Sequence, residues 1–204
     1  MKDKPILAVL CSGRGTNLQS IMTAVESGQI PASIGVVLTD KPEAKALERA
    51  EKEGIPHAFI DRRAYETRRD FEEQLVAKLR QHDVSLVILA GFMRILSPYF
   101  VLQYPRRILN VHPALLPAFP GAHAHRDVLA YGVKVSGCTI HFVDEGTDSG
   151  PIILQAAVPV LPEDTEETLA ERVLAEEHRL YPRAIALCVK GQLRVEGRHV
   201  HILS

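Results

Sequence analysis

Hydrophobic and polar positions fall along this chain in blocks, and the period changes from block to block. Ile6-Leu7-Ala8-Val9-Leu10, Ile34-Gly35-Val36-Val37-Leu38-Thr39 and Val84-Ser85-Leu86-Val87-Ile88-Leu89-Ala90 are short, almost continuous apolar runs. Runs of this length, rich in branched residues, are expected of strands buried on both faces. Between them the spacing becomes helical, at Leu18, Ile21, Met22 and Val25, over Ala44–Glu53, and over Arg63–Gln81 with Phe71, Leu75 and Leu79 in register. Gly28 with Pro31, and Gly54 with Pro56, stop the first two helices. Ala58-Phe59-Ile60 reads as a short third strand, and Ser97-Pro98 as the cap and first turn of a helix through Gln103. Strands alternating with helices predict right-handed βαβ units. The expected class is therefore α/β, an open, mostly parallel twisted sheet with helices on both faces.

Later in the chain the alternation loosens. Asp127–Tyr131 predicts a short helix ended at Gly132, and Val135–Val143 alternates small or polar with apolar residues, as in a half-covered strand. Ile152–Val160 is a further strand, antiparallel to it if the intervening polar loop forms a hairpin. Thr165–Val189 predicts a long helix capped by Asp164 or Thr165 and kinked at Pro182. Leu193-Arg194-Val195 and Val200-His201-Ile202 look like a closing hairpin, with His199 and His201 at an exposed edge. No repeat, low-complexity segment or linker interrupts the 204 residues, so a single domain, 1–204, is expected.

Composition narrows the function. A formal net charge of −1 gives no global electrostatic case for nucleic acid or an acidic membrane. Cys11, Cys138 and Cys188 are too few and scattered for a disulfide framework, and no CxxC pair points to zinc. No apolar run approaches the roughly 20 residues that span a bilayer. Met1-Lys2-Asp3-Lys4-Pro5 leads straight towards a strand without a signal-peptide pattern. A cytoplasmic protein is expected.

The candidate chemistry lies in the loops. In Ile108-Leu109-Asn110-Val111-His112-Pro113, Asn110 and His112 are two apart on a strand, so they leave the same face. Pro113 ends the pairing. An amide and an imidazole at the carboxyl end of a parallel strand stand where open α/β sheets place their sites. Cys11-Ser12-Gly13-Arg14-Gly15-Thr16-Asn17 joins a strand to a helix, which presents backbone N–H groups and the positive helix end to an anion. It matches neither GxGxxG nor a P-loop, and a tight turn needing glycine explains it equally well. Gly91-Phe92-Met93-Arg94-Ile95-Leu96 is either the wall of a flat pocket or an ordinary strand-to-helix link. Asp144-Glu145-Gly146-Thr147-Asp148-Ser149-Gly150-Pro151 holds three acids, as does many a solvated turn. His112, His123 and His125 raise the question of a metal, but no HExxH, cysteine or carboxylate stands at ligand spacing, and no metal is expected.

Asn110-x-His112-Pro113, continued by Leu115-Leu116-Pro117, resembles the signature of the folate-dependent formyltransferases, and Asp148-Ser149-Gly150-Pro151 resembles their second signature. The similarity runs nearly end to end, through Ala90-Gly91-Phe92-Met93-Arg94-Ile95-Leu96 to Glu176-Glu177-His178. Within the family the chain is similar to the members that act in purine biosynthesis. The resemblance implies the Rossmann-like formyltransferase fold, with the N-terminal half binding ribonucleotide phosphate and the C-terminal half binding folate and carrying catalysis. It implies transfer of a formyl group from 10-formyltetrahydrofolate, as co-substrate, to the amine of glycinamide ribonucleotide. By that resemblance Asn110, His112 and Asp148 are catalytic, and Gly15, Thr16, Asn17 and Glu177 hold the ribonucleotide. Arg68, Met93, Arg94, Ile95, Leu96, Asn110, Asp144 and Asp148 contact the folate. The partners are small molecules, with neither nucleic acid nor membrane, and a homodimer is left open. The family often has serine at Ala114 and a second glycine at Ser149; neither departure removes a catalytic group. A tRNA-formylating member would need an added carboxyl-terminal domain and a basic surface. A formyltetrahydrofolate hydrolase would carry an added amino-terminal domain and need no phosphate loop. A phosphate-binding module without activity would need the glycine loop but not Asn110, His112 and Asp148 together.

Overall fold

The computed structural model describes residues 4–203, so Met1-Lys2-Asp3 of the amino-terminal reading lies outside the described residues. Strands β1 (Ile6–Cys11), β2 (Ser33–Thr39), β3 (His57–Phe59), β4 (Leu86–Leu89), β5 (Ile108–His112), β6 (Val135–Phe142) and β7 (Ile152–Pro159) form one sheet in the order β3-β2-β1-β4-β5-β6-β7. The first five are parallel, and β6 pairs antiparallel with both β5 and β7. From β1 the chain winds outward to β2 and β3, then returns to the other side of β1 for β4 and β5. The order therefore reverses between β1 and β4. Ligand clefts in open α/β sheets lie at such reversals, outside the carboxyl ends of the strands.

Helices α1 (Thr16–Glu26), α2 (Lys45–Lys52) and α6 (Glu166–Val189) cover one face, and α3 (Arg68–Gln81) and α4 (Pro98–Gln103) cover the other. Strand period 2 sorts the side chains between them. Leu7, Val9, Leu109, Val111, Cys138 and Ile140 enter the first core, and Ala8, Leu10, Val87, Leu89 and Ile108 the second. The second core stops at Ile108. Over β5 and β6, the face bearing Asn110, His112, Thr139 and His141 has no helical cover. Residues 113–121 roof it instead: Thr139 Oγ1 donates to Ala114 O (2.7 Å) and accepts from Leu116 N (3.0 Å), and Gln155 Nε2 donates to Leu116 O (2.9 Å). α6 is tied to the sheet by Tyr181, fully buried, whose hydroxyl lies 2.9 Å from both Leu89 O and Leu109 O.

Three local expectations change. The helix expected over Arg63–Gln81 is broken. Asp61 caps a 3-10 turn at Arg62–Ala64, and α3 begins at Arg68, where Thr67 and Asp70 make a reciprocal capping box. The helix expected from Asp127 is α5 (Ala124–Tyr131), beginning just after His123. β6 is buried almost throughout rather than half-covered, because α6 packs one face and the 113–121 roof the other. α6 runs unbroken through Pro182. β8 (Leu193–Glu196) and β9 (His199–Ile202) form the expected hairpin, with His199 and His201 exposed. No helix among the described residues is long and apolar enough to cross a membrane.

Candidate active site

The parallel ladder ends at β5, and β6 returns against it with Asn110 opposite His141. Cross-strand partners share a face, so the two side chains meet. Asn110 Nδ2 lies 3.2 Å from His141 Nε2, and His141 Nδ1 lies 2.8 Å from Phe142 O. A carbonyl only accepts, so Nδ1 carries the proton and Nε2 accepts from the Asn110 amide. Burial pushes the His141 pKa down, against the opposing pull of the Phe142 carbonyl and the Asp148 charge, which keeps the ring neutral at pH 7. One Asn110 N–H is thereby used, and its direction fixes the other.

His112 Nε2 lies 2.7 Å from Phe119 O and donates to it. Its other nitrogen, Nδ1, faces Asp148 Oδ2 at 3.3 Å. Asp148 comes from the β6–β7 loop, which folds back over the sheet. Its Oδ2 also accepts from Gly121 N (2.8 Å), and its Oδ1 stands 3.8 Å from His141 Nε2. The backbone of Asp148 is left-handed, at φ 51°, a conformation that Asp and Asn accept more readily than other side chains. Asp144 folds the loop internally, accepting from Gly146 N (3.1 Å) and Ser149 Oγ (2.6 Å). Ser149, one of the departures from the family pattern, thus ties the loop shut with its hydroxyl. At Gly150 an added Cβ would overlap the Phe142 carbonyl, so only glycine lets the loop re-enter the sheet here.

Two adjoining cavities, of about 380 and 320 Å³, run along residues 91–96. The second has Asn110, His112, His141 and Asp148 on its wall, with Asp144 at its rim, and the first has Arg68 and Arg94. Met93 and Ile95 are large apolar side chains that stand 71% and 63% exposed there. Buried carboxylates hold both arginines. Arg68 Nε donates to Glu72 (3.0 Å), and Arg94 Nε to Asp40 (2.5 Å).

Across the order reversal, Gly15 stands just before α1 at φ 67°, with an added Cβ only 3.0 Å from Ala46 Cα, so the turn requires glycine. No side chain caps α1, which leaves its first N–H groups to a ligand. Asn17 is buried in the first turn, and its Nδ2 donates to Glu177 of α6 at 2.7 Å. Burial pushes the Glu177 pKa up, and the Asn17 bond only partly offsets this. Asn17 Oδ1 has no hydrogen-bond partner among the described residues. Thr16 follows Gly15 at the helix start.

The structure thus brings Asn110, His112 and Asp148 together, joins Asn17 to Glu177, and gathers Arg68 and Met93-Arg94-Ile95-Leu96 at the cavities. The sequence reading missed His141, Asp40 and Glu72. His141 lies on an apparently ordinary alternating strand, and only the β5–β6 register makes it a partner of Asn110. His123 stands before α5, and His125 has a buried Nδ1 without a partner among the described residues and a pKa lowered by burial. Among the described residues no group of three or more His, Cys, Asp and Glu side chains is arranged to hold a metal.

Known proteins share this architecture. The chain is 41% identical over 189 residues to the phosphoribosylglycinamide formyltransferase of Escherichia coli (strain K12), an alignment covering 93% of this chain and 89% of that protein. It is 47% identical over 190 residues to the trifunctional purine biosynthetic protein adenosine-3 of Drosophila pseudoobscura pseudoobscura, covering 92% of this chain but only 14% of that longer protein. Among solved structures, glycinamide ribonucleotide transformylase 1 from Symbiobacterium toebii superposes with a TM-score of 0.98 at 50% identity, covering 100% of this chain and 96% of that one. The model of the family described as formyl transferase matches residues 6–185, from the start of β1 to the last turns of α6. That span holds the whole seven-stranded sheet and every side chain of the site, and the chain belongs to the formyl transferase family.

Proposed function

We propose that this chain, acting as one domain, transfers the formyl group of 10-formyltetrahydrofolate to the amine of glycinamide ribonucleotide. The products are formylglycinamide ribonucleotide and tetrahydrofolate, a step of purine biosynthesis. The observation that carries the reading is the convergence of Asn110, His112, His141 and Asp148 on one face of β5–β6, beside a cavity on one side and an uncapped helix start on the other. The names and full-length similarity of the bacterial relatives support the same substrates.

Each substrate has a matching surface. The phosphate is assigned to the backbone N–H groups of Gly15, Thr16 and Asn17 at the start of α1, where the helix dipole also favours an anion. Glu177, with the free Oδ1 of Asn17 beside it, accepts from the ribose hydroxyls. The folate ring is assigned to the cavity beside Met93, Ile95 and Leu96, roofed by the Asp144–Asp148 loop. Its anionic end lies towards Arg68 and Arg94. A flat heterocycle with an acidic tail suits apolar walls that end in two guanidinium groups.

In the reaction the glycinamide nitrogen forms a bond to the formyl carbon, the bond from that carbon to the folate nitrogen breaks, and one proton passes from the amine to the departing nitrogen. Negative charge gathers on the formyl oxygen in between. The Asn110 N–H not used by His141 donates to that oxygen. Phe119 O holds His112 by its Nε2, so Nδ1, at 3.3 Å from Asp148, is the nitrogen left to donate to that oxygen or to pass the proton to the leaving nitrogen. Asp148 assists loss of the amine proton. The three cysteines are all free thiols, in keeping with a reducing compartment.

The test is formyl transfer followed by the folate's absorbance, with and without glycinamide ribonucleotide. Deformylation that depends on the ribonucleotide is expected. Deformylation without it would make the chain a hydrolase, and none in either case would refute the substrate assignment.

A further inference from the structure

The mechanism above leaves two buried carboxylates at the site unused, Glu72 and Asp40, and Asp40 is the one that joins the two loops. Asp40 follows β2 at the carboxyl end of the sheet, its side chain 2% exposed. Burying a carboxylate is costly unless both oxygens are satisfied, and both are. Oδ1 accepts from Ser12 Oγ at 2.6 Å, and Oδ2 from Arg94 Nε at 2.5 Å. Because Ser12 donates its only hydroxyl proton to Asp40, its oxygen lone pairs are free, and one accepts from Met93 N at 3.0 Å. Ser12 N donates in turn to Gly91 O at 3.0 Å. Four hydrogen bonds thus tie the loop before α1 to residues 91–94, and two of them end on Asp40. Asp40 itself lines neither cavity.

We infer that Asp40 is a positioning residue for both substrates: it fixes the Arg94 side chain for the folate and, through Ser12, holds the phosphate loop and the folate loop as one unit. The inference rests on the proposed substrates for its ligands, but not for its geometry. Holding Arg94 by Nε leaves both terminal nitrogens of the guanidinium to face a ligand, which is the orientation a bidentate carboxylate needs. A guanidinium without Asp40 would keep only its place over the Phe71 ring, 5.6 Å from the centroid, and lose the bond that orients it, and Met93 N would bond to a hydroxyl that no longer has a fixed direction.

The discriminating variant is Asp40→Asn. Asparagine is isosteric and can still accept from Ser12, but its amide nitrogen cannot accept from Arg94 Nε. Two measurements are made. In the ligand-free protein, amide hydrogen exchange of segments 12–17 and 91–96 is compared with wild type; faster exchange in the second segment is expected, and in both for Asp40→Ala. In calorimetric titration with folic acid, Asp40→Asn is expected to weaken binding about tenfold, the size of one charge-assisted hydrogen bond. Arg94→Ala should weaken it similarly, and the double variant scarcely more than either alone. In turnover, the folate KM should rise by about that factor while kcat falls by no more than about threefold. A purely structural Asp40 would lower the melting temperature and leave the KM ratio unchanged. Unchanged exchange in segment 91–96, unchanged folic acid affinity, or effects of Asp40→Asn and Arg94→Ala that multiply fully would each overturn the inference. Faster exchange in the variants, with no folic acid binding by wild type, would uphold the tie between the loops and overturn the folate reading instead.

Discussion

Asp148→Asn is the sharpest perturbation of the proposed chemistry, because the structure predicts that it changes charge and little else. Asparagine accepts the left-handed backbone at φ 51° as readily as aspartate. Its carbonyl oxygen can still accept from Gly121 N, the bond that seats the loop at 2.8 Å. What disappears is a full negative charge 3.3 Å from His112 Nδ1. At an effective dielectric of about 20, two opposite unit charges at that distance attract by roughly 5 kcal/mol at most. The Asp148 side chain is 14% exposed, and solvent screening reduces the figure to about 2–3 kcal/mol. At 1.4 kcal/mol per decade, kcat should fall about 100-fold, within the range usual for losing one acid–base partner. The ribonucleotide KM should stay within about threefold, because its binding surfaces lie on α1 and α6. The assay is steady-state formyl transfer at saturating folate, with ribonucleotide varied. A kcat within tenfold of wild type, or loss of ribonucleotide binding along with kcat, would refute the placement of Asp148 in the proton path.

Three further outcomes test neighbouring parts of the site. His141→Leu removes the acceptor that directs the Asn110 amide and should lower kcat roughly tenfold with both KM values little changed, whereas His141→Gln keeps an acceptor and should retain most activity; equal kcat for the two variants would contradict the role given to His141. Gly150→Ala sets a Cβ against the Phe142 carbonyl and must displace the loop carrying Asp148, so kcat should fall at least about tenfold while ribonucleotide binding persists, and wild-type turnover would exclude this. Glu177→Gln separates stability from function. Burial raises the Glu177 pKa above its unfolded value, so its contribution to stability is fully present at low pH and lost as pH rises from about 4.5 through the raised pKa. The glutamine variant should therefore be the more stable protein at pH 7, by a margin that vanishes in acid, yet bind ribonucleotide more weakly; denaturant titrations at several pH values, with a pH-independent difference as the refuting result, decide it.

What the sequence could reveal was what depends on near neighbours. The apolar runs at Ile6, Ile34 and Val84 marked buried strands, and Asn110-x-His112 announced two polar side chains on one face, because strand period is a local property. The break before Arg68 was also local: Thr67 with Asp70 is a capping box, outweighed in the reading by the longer amphipathic pattern. The contacts the sequence could not reveal were of another kind. His141 meets Asn110 across 31 positions, Asn17 meets Glu177 across 160, and Asp40 meets Arg94 across 54. Each depends on sheet order and register, which periodicity does not encode. The half-covered reading of β6 failed for the same reason, since its second cover is a loop whose path rests on Thr139 and Gln155.

The sheet is roofed by helices on one side of β5–β6 and by loops on the other, and this divides the consequences of mutation between its two faces. Residues of β5 and β6 that point towards α6, such as Leu109, Val111 and Ile140, bear mainly on whether the molecule folds. Asn110, His112 and His141, pointing the other way, bear mainly on what the folded molecule does. A map of tolerated substitutions along these strands should accordingly alternate residue by residue between loss of abundance and loss of turnover. The loop-covered side is also where substrate preference can drift without endangering the core. Residues 113–121 and 144–150 can vary in length and composition so long as Thr139 keeps its two backbone partners, the backbone at 119 and 121 still meets His112 and Asp148, and residues 148 and 150 remain aspartate and glycine.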